Sequence, residues 1–407
     1  MFLIYSLLIR LYYWGLHIAA LFHPKAKLWI NGRRDQLAHL YRLSSKWKEK
    51  QIILIHAASY GEYEMAKPIL DGLLTHKDVR IVVSFFSPSG YENTNFSDDR
   101  ITKVYLPVDL MKHQKAFIEA LQPAKVLFIK YEFWFNLLRV LKEKHIPYYY
   151  SSLHLNEDSY LFKKYMSTFL SLIKESQTIY CHNHGSQEIL TKKGFTNTII
   201  LGDTRIQQAQ LNKTSSKGQI TWDNGYPSIA FGSLIASEFE WLPDLISSFS
   251  ECNFLIAPHE IDQATIAKLQ SLTGPDTMLY SKMPSTTPFA TPFRFLIIDT
   301  LGDLKYLYKN STVAYVGAGF DKGPHNIIEP LIYGVPTICG PNIEKFPMAQ
   351  HLHRENLLSV IEKPKSLKTE IEKLLKLDSN RFNDNVQQEL KNLEANIDGL
   401  VSDLSLK

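Results

Sequence analysis

The residues best suited to chemistry follow an apolar run, residues 312–316, that is typical of a buried parallel strand. A glycine-bearing stretch, 317–324, comes next, and Asn326 stands where a helix would begin. Glycines allow a sharp turn that leaves backbone amides uncovered, and a helix N-terminus favours a bound phosphate. Glu329, one turn later, can accept hydrogen bonds from sugar hydroxyls. The pattern favours a loop that holds the nucleotide end of an activated sugar, with an ordinary strand-to-helix turn capped by asparagine as the alternative.

Two glutamates take similar positions in the first half of the chain. Glu62 follows an apolar run, 52–56, and a turn of small residues, which would place it on the first turn of a helix at the mouth of a cleft. A functional carboxylate there is most simply a general base, and the alternative is a glutamate that only complements the helix dipole. Glu132 follows the run 126–129, among large aromatic residues, and an ion pair with Lys130 or Arg139 is its alternative.

A cationic residue and two further loops complete the candidate site. Arg205 follows the run 198–201 and could reach a leaving phosphate, although a surface arginine would give the same pattern. The segments 257–260 and 299–303 also follow apolar runs, and the second of them can cap a helix and expose amides to a nucleotide. Each loop alone also fits a plain capped turn. Their shared position at strand ends favours a nucleotide-sugar pocket.

The elements that must position these residues are indicated by short apolar runs that alternate with helical segments. The runs are residues 52–56, 80–85, 103–106, 126–129, 148–151, 178–181, 198–201, 229–232, 254–257, 278–280, 295–298, 313–316, 337–339 and 358–360. Such alternation predicts parallel sheets with helices on both faces. We therefore predict two doubly wound α/β domains facing a cleft, joined by a polar linker or hinge loop at 209–227, with ligands beyond the carboxyl ends of the strands.

Composition narrows the class of protein. The net charge of the 407 residues is only +4, which does not indicate a nucleic-acid partner. The three cysteines lie inside apolar runs and show no metal-ligand spacing, which suits a reducing compartment.

The N-terminus differs from that of an ordinary soluble protein. Residues 2–22 are almost wholly apolar and aromatic, interrupted by Arg10 and His17, and basic residues follow: Lys25, Lys27, Arg33 and Arg34. This predicts an uncleaved membrane anchor with the rest of the chain in the cytoplasm. The anchor either spans the bilayer or lies in the inner leaflet with Arg10 reaching the surface. A helix packed on the first domain is the alternative.

Several segments together resemble motifs of the 3-deoxy-D-manno-octulosonic acid (Kdo) transferases of Gram-negative lipopolysaccharide synthesis. The Ser-x-Gly-Glu turn that ends at Glu62 matches the catalytic-base motif of that family, and segment 132–136 is similar to its Glu-Leu-Trp-Pro-Asn. The remaining matches are 87–90 with Thr-Pro-Thr-Gly, 105–109 with Tyr-Leu-Pro-x-Asp, 299–304 with Asp-Thr-Met-Gly-Glu-Leu, and 325–330 with His-Asn-Pro-Leu-Glu-Pro. The resemblance extends from the anchor to about residue 352, most of the chain.

The resemblance implies a GT-B fold, CMP-Kdo as donor, a tetra-acylated lipid A precursor (lipid IVA) as acceptor, and inversion at the anomeric carbon without a metal or cofactor. The expected domains are a membrane anchor (1–24), an acceptor-binding Rossmann-like domain (25–208) and a CMP-Kdo-binding Rossmann-like domain with C-terminal helices (209–407). Glu62 would accept the proton, and Glu132 with Arg205 would stabilise the transition state. The implied CMP-Kdo contacts are Pro258, His259, Leu301, Gly302, Asp303, Asn326, Ile327, Ile328 and Glu329. The expected location is the cytoplasmic face of the inner membrane, in contact with its lipid.

Departures from the family pattern leave two alternatives open. His154 and His259 stand where the family often has arginine, Leu234 replaces its usual threonine, and Pro324 interrupts the glycine loop. One alternative is a GT-B transferase or epimerase that uses a UDP-sugar. The other is a catalytically inactive, membrane-anchored binding protein, against which the intact Glu62 and Glu329 argue.

Overall fold

The computed structural model describes residues 2–153, 155–222, 224–283, 289–291 and 293–406, so that His154 lies outside the described residues. The chain forms two compact units. The first runs to Gln208 and also contains the chain from Glu394 onward, and the second is Ala209–Leu393. Each contains a parallel sheet with helices between the strands, so the predicted α/β class is confirmed.

Seven strands form the sheet of the first unit: β1 (Gln51–His56), β2 (Val79–Phe85), β3 (Ile101–Tyr105), β4 (Lys125–Ile129), β5 (Tyr148–Leu153), β6 (Thr178–Cys181) and β7 (Thr198–Ile200). All are parallel, in the order β3-β2-β1-β4-β5-β6-β7. Each corresponds to one predicted run, with bounds that agree or shift by one or two residues. The strand order reverses between β1 and β4, and this switch point is where ligands bind in doubly wound sheets.

Helices cover both faces of this sheet: α1 (Phe2–Ala19), α2 (Pro24–Asn31), α3 (Gln36–Lys46), α4 (Tyr60–Leu74), α5 (Pro88–Glu92), α6 (Met111–Leu121), α7 (Phe135–Glu143), α8 (Ser167–Lys174), α9 (His184–Lys192), the start of α10 (Thr204–Lys213) and, at the far end of the chain, α18 (Asp398–Ser405). Alternate residues of β1 serve opposite faces, as strand geometry requires. Ile52 and Leu54 join one hydrophobic cluster, and Ile53 and Ile55 join the other. The central strands are therefore buried on both sides.

The last residues of the chain pack on the first unit, whereas we predicted all of 209–407 in the second domain. The physical reason is an apolar face on α18. Val401 and Leu404 are buried in a hydrophobic cluster that also contains residues of α4. Gly72 leaves room for Val401, because a Cβ at position 72 would lie only 2.8 Å from Val401 Cγ2. Lys125 also donates to the carbonyl oxygens of Asp403 (2.5 Å) and Leu406 (2.6 Å).

The second unit contains nine described strands: β8 (Ile220–Trp222), β9 (Ser228–Leu234), β10 (Asn253–Pro258), β11 (Thr277–Leu279), β12 (Phe289–Thr291), β13 (Phe295–Ile297), β14 (Val313–Val316), β15 (Thr337–Cys339) and β16 (Ser359–Val360). Its main sheet has the order β11-β13-β10-β9-β14-β15-β16, and β12 pairs with β8 apart from it. The strand order reverses between β9 and β14, the second switch point. Its described α-helices are α11 (Leu242–Ser248), α12 (Gln263–Thr273), α13 (Leu304–Leu307), α14 (Ile328–Leu331), α15 (Pro347–Arg354), α16 (Leu367–Leu374) and α17 (Ser379–Leu393).

The predicted linker at 209–227 is only partly irregular. Helix α10 continues to Lys213, and β8 occupies Ile220–Trp222. The sequence did not indicate the end of α10 or β8, because Ile220 and Trp222 are the only large apolar side chains between 212 and 225. Ile220 is buried in the second hydrophobic core, against which Trp222 also packs.

Helix α1 presents two unlike faces. Phe2, Tyr5, Ile9, Tyr13 and Leu16 are half-buried and pack against the first unit. The opposite face is exposed and apolar, with large side chains 48–88% exposed: Leu3, Ile4, Leu7, Leu8, Leu11, Tyr12, Trp14 and Ile18. Among the described residues, α1 is the one helix whose length and composition would allow it to cross a membrane. The packed side agrees with the alternative, a helix packed on the first domain, and the exposed apolar side is compatible with the predicted anchor.

Arg33 does not belong with the exposed basic residues that we predicted after the anchor. Its guanidinium lies 3.5 Å from the centroid of the Trp29 ring and donates to the carbonyl oxygens of Leu106 and Phe86, both at 2.8 Å. Such a cation is held inside the fold. Lys25, Lys27 and Arg34 remain exposed.

Candidate functional site

The switch point of the first sheet brings the two predicted glutamates to one edge. Strands β1 and β4 are neighbours, with His56 paired in register with Phe128. The loop after β1 leads to Glu62 on the first turn of α4, and the loop after β4 carries Glu132. Since both strands end at this edge, the Glu132 carboxylate is close enough to affect the pKa of Glu62. Burial raises the pKa of Glu62, and the neighbouring Glu132 carboxylate raises it further.

Glu62 also has partners that favour its ionised form. Its Oε2 accepts a hydrogen bond from the backbone N–H of Ser59 at 3.1 Å, so Glu62 also caps α4, a structural role in addition to the dipole interaction that was its alternative. His56 and Lys130 oppose the rise of its pKa by their charge. A half-buried carboxylate with a raised pKa has the properties of a general base.

Glu132 pairs with His56, and this corrects the ion pair with Lys130 or Arg139 that the sequence spacing offered. Its Oε2 lies 2.9 Å from His56 Nε2 and 2.6 Å from Trp134 Nε1. Arg139 instead lies over the ring of Phe2, 4.4 Å from its centroid. His56 is fully buried, and the sequence analysis did not single it out because a histidine that ends an apolar run carries no local signal.

Lys130 and Arg205 supply positive charge to the same edge. Lys130 sits at the end of β4 with φ of 63°, a left-handed backbone that is uncommon outside glycine. Burial lowers its pKa, Arg205 lowers it further, and Glu62 and Asp203 oppose the change. Arg205 therefore acts on Lys130, which in turn acts on Glu62, and Lys130 is a charged residue of this edge that we did not predict.

Arg205 is fixed by a buried carboxylate. Its Nε donates to Asp203 Oδ1 at 2.9 Å, and its Nη2 lies 2.5 Å from Oδ2. Although burial opposes it, the guanidinium holds the pKa of Asp203 well below its usual range, with help from His182. The side chain of Arg205 remains 32% exposed, so it can also meet an anion from solvent.

The second unit contains a cavity of about 230 Å³ beyond the ends of β9, β10 and β13. It is lined by five of the predicted CMP-Kdo contacts: Pro258, His259, Leu301, Gly302 and Glu329. Thr300, within the predicted segment 299–303, also lines it, and Ser233 and Lys305 are lining residues that we did not predict. Lys305, the second residue of α13, would have been found by extending the 299–304 motif by one residue.

The other predicted contacts stand apart from this cavity lining. Ile327 and Ile328 are buried in the core of the second unit, so only their backbone could meet a ligand. Asn326 Oδ1 accepts from the N–H of Ile328 at 3.2 Å, and its Nδ2 donates to Glu329 at 3.1 Å, so it caps the turn as the alternative described. Asp303 precedes α13 and is not part of the lining.

The backbone amides of the glycine loop are less available to a ligand than we predicted. Helix α14 is a single turn, too short for a strong dipole. Glu238, 1% exposed, accepts from the N–H of Ala318 and the hydroxyl of Tyr315, at 2.9 and 2.8 Å. The N–H of Gly317 donates to Gly232. These amides are therefore occupied by the protein, and the expectation of a run of uncovered amides is wrong for them.

Two imidazoles stack beside the cavity. The rings of His259 and His325 are 4.4 Å apart with planes 21° from parallel. Burial lowers the pKa of His325 to about 4, and His259 contributes to the shift. At neutral pH His325 is therefore uncharged, and the stacked rings offer a flat face suited to stacking or hydrogen bonding.

Two doubly wound units of this kind define a protein of GT-B-like fold. Among solved structures, UDP-GlcNAc 2-epimerase from Neisseria meningitidis has a TM-score of 0.57 at 12% identity, covering 85% of this chain and 95% of that one. Identity this low establishes the fold alone.

Residues 33–208 match the family model of 3-deoxy-D-manno-octulosonic-acid transferase (kdotransferase). The Kdo transferase of Chlamydophila psittaci is 26% identical over 306 residues, 71% of this chain and 69% of that protein. A bifunctional glycosyltransferase/methyltransferase of Fusobacterium nucleatum is 23% identical over 330 residues, and the match spans half of its length. The predicted resemblance to the Kdo transferase family is thereby confirmed.

Proposed function

We propose that this chain is an inverting glycosyltransferase that moves Kdo from CMP-Kdo to a lipid A precursor. The observation that carries the proposal is the cluster of Glu62, Glu132, Lys130 and Arg205 within the segment that matches the Kdo transferase family. Each charge in that cluster has a use in metal-free transfer of a sugar from a nucleotide.

The proposed reaction exchanges one bond for another at the anomeric carbon. The acceptor hydroxyl oxygen attacks that carbon while the bond to the CMP phosphate breaks, and CMP leaves with the electron pair. Glu62 takes the hydroxyl proton, which is its role as base. Arg205 and Lys130 would offset the negative charge that develops on the departing phosphate.

The nucleotide would bind in the second unit. The cavity lined by Pro258, His259, Leu301, Gly302 and Glu329 has the mixed apolar and polar character of a small-molecule site. Glu329 can accept from ribose hydroxyls, and the His259–His325 pair offers a flat face to a pyrimidine ring. With Asp303, Asn326 and the backbone of Ile327 and Ile328 as secondary contacts, this is our proposed CMP-Kdo subsite.

We further propose that α1 holds the protein on the cytoplasmic face of the inner membrane by lying along it. A helix whose one side packs on a folded unit cannot be surrounded by lipid, so the exposed apolar side alone would enter the bilayer. Arg10 and His17 border that side, about a quarter turn from its centre on a helix of 3.6 residues per turn. Arg10 can then reach the headgroups, and the lipid acceptor lies in the same surface.

The test is mass spectrometry of purified protein incubated with CMP-Kdo and lipid IVA, with Glu62→Gln as the matched variant. We expect added Kdo with the wild type and a loss of about 10²–10⁴ in rate for Glu62→Gln, while CMP binding persists. The UDP-sugar alternative predicts calorimetric binding of UDP rather than CMP. An inactive binding protein predicts no product with either donor, and this would overturn the proposal.

A further inference from the structure

His56 is a polar residue in an apolar place. It ends the central strand β1 and is fully buried, with Phe128 and Trp134 rings against its own. Its Nδ1 lies 2.9 Å from Ser84 Oγ and 3.0 Å from the Ser84 carbonyl oxygen, and its Nε2 lies 2.9 Å from Glu132 Oε2. Both ring nitrogens are thus engaged, which fixes the plane of the imidazole.

Counting protons shows what holds Glu132. A carboxylate oxygen and a nitrogen lone pair cannot meet at 2.9 Å without a proton between them, so His56 and Glu132 share one. The indole N–H of Trp134 is a donor only, and it lies 2.6 Å from the same Oε2. The indole nitrogen also lies 2.9 Å from His56 Nε2, so the imidazole, the indole and one oxygen of Glu132 form a single hydrogen-bonded group, which fixes the rotation of the carboxylate.

We infer that His56 is a positioning residue, which aligns Glu132 through Nε2 and offsets its negative charge beside Glu62. The inference rests on the proposed function, in which Glu62 is the base and Glu132 acts on the transition state. It adds a residue to that site which no motif of the family resemblance contains.

The charged groups around Glu62 predict the direction in which its pKa should change when His56 is replaced. Glu132 faces it from the loop after β4 and raises its pKa, while His56 on β1 and Lys130 at the end of β4 lower it. Arg205 and Asp203, at the start of α10, affect the pKa of Lys130 and so belong to the same group of interacting charges. Removing the imidazole leaves Glu132 less compensated, so Glu62 should hold its proton to higher pH.

The experiment compares His56→Leu, His56→Gln and Tyr150→Phe. Leucine removes the imidazole with both of its hydrogen-bonding nitrogens, and glutamine restores an N–H donor without an ionisable group. Tyr150, on β5, is buried and its ring stacks on that of Phe128. Its replacement by phenylalanine is the matched control for a core substitution. Thermal denaturation and CMP binding first establish that each variant is folded.

For His56→Leu we expect kcat to fall by about tenfold to a hundredfold, the scale for a displaced catalytic group, and the acid limb of the kcat–pH profile to move to higher pH. His56→Gln should recover part of kcat and keep the shifted limb, and Tyr150→Phe should match the wild type. A folded His56→Leu with an unshifted limb would overturn the inference.

A second readout separates this inference from the proposed function. Carbodiimide labels protonated carboxyl groups, so the pH at which Glu62 loses its label, followed by peptide mass spectrometry, needs no substrate. A higher midpoint in His56→Leu supports the inference even if the wild type transfers no Kdo, and an unchanged midpoint overturns it even if the wild type is active.

Discussion

Replacing Tyr5 with phenylalanine should loosen α1 from the first unit by a predictable amount. The Tyr5 hydroxyl donates to Asp109 Oδ2 at 2.7 Å, and Asp109 is 1% exposed. The same carboxylate accepts from the N–H groups of Asn136 and Leu137, both at 2.9 Å, and so caps α7. The variant keeps the aromatic contacts of Tyr5 with Phe135 and Phe169 and loses only the hydrogen bond.

The magnitude follows from the charge and burial of the acceptor. A hydrogen bond to a buried ionised group contributes about 1.5–3 kcal/mol, so Tyr5→Phe should lower the free energy of unfolding of the first unit by that much. Tyr12→Phe makes the same change on the exposed face and should stay within about 0.5 kcal/mol of the wild type.

The effect should depend on pH in a defined direction. Burial raises the pKa of Asp109 to about 6, and the Tyr5 hydrogen bond opposes the rise. Because the pKa of Asp109 is raised in the folded state, the contribution of Asp109 to the free energy of unfolding is largest below its ordinary pKa of 3.8. That contribution is lost as the pH rises through about 6. Since Tyr5 stabilises the ionised form, the Tyr5→Phe deficit should be larger at pH 8 than at pH 4.5.

Urea denaturation of both variants at these two pH values, followed by near-ultraviolet circular dichroism, is the assay. Equal stability of Tyr5→Phe and Tyr12→Phe at pH 8 would refute the view that this hydrogen bond docks α1. A deficit that grows toward pH 4.5 would refute the assigned charge of Asp109.

Three further results are expected. Glu329→Ala and Asn326→Ala should each weaken CMP binding by about 1–3 kcal/mol in calorimetry while the protein stays folded, although Asn326→Ala also removes the cap on Ile328 and should lower the melting temperature; unchanged affinity in both would make the loop purely structural. Leu7→Gln with Leu11→Gln should reduce flotation with anionic vesicles at unchanged stability, since each leucine would lose about 1.5–3 kcal/mol of burial in lipid; full flotation would remove α1 as the contact. Because the pKa of Glu62 is raised, wild-type activity should fall on acidification with a midpoint above the ordinary 4.5, and a midpoint at or below that value contradicts its buried setting.

The strands were predictable because burial on both faces leaves a continuous apolar run, a signal contained in four or five adjacent residues. The carboxyl-end positions of Glu62 and Glu132 follow from the same runs. By contrast, β8 holds only two large apolar residues in a polar stretch and gave no such run.

The contacts of Glu238 and Glu132 could not be predicted because they depend on distant partners. Glu238 fills the glycine loop from 80 residues earlier in the chain, and Glu132 meets His56 across 76 residues. Nothing in the local pattern reports either contact, because a strand-end histidine and a helix-start glutamate each have many possible partners. Family motifs did not supply them either, since a motif identifies positions rather than contacts.

The return of the chain to its first unit has a consequence for the order in which the protein can mature. The last residues of the chain contact the segment around Arg205. The N–H of Asn396 donates to the carbonyl oxygen of Leu201, and the Gln207 side chain donates to that of Ala395, both at 2.8 Å. Gly202, with φ of 96°, packs against the backbone of Ala395. A growing chain completes β7 at Ile200 almost two hundred residues before these braces are synthesised. The seven-stranded sheet can therefore form early during translation, whereas the cationic end of its site is set only when the second unit has already been made.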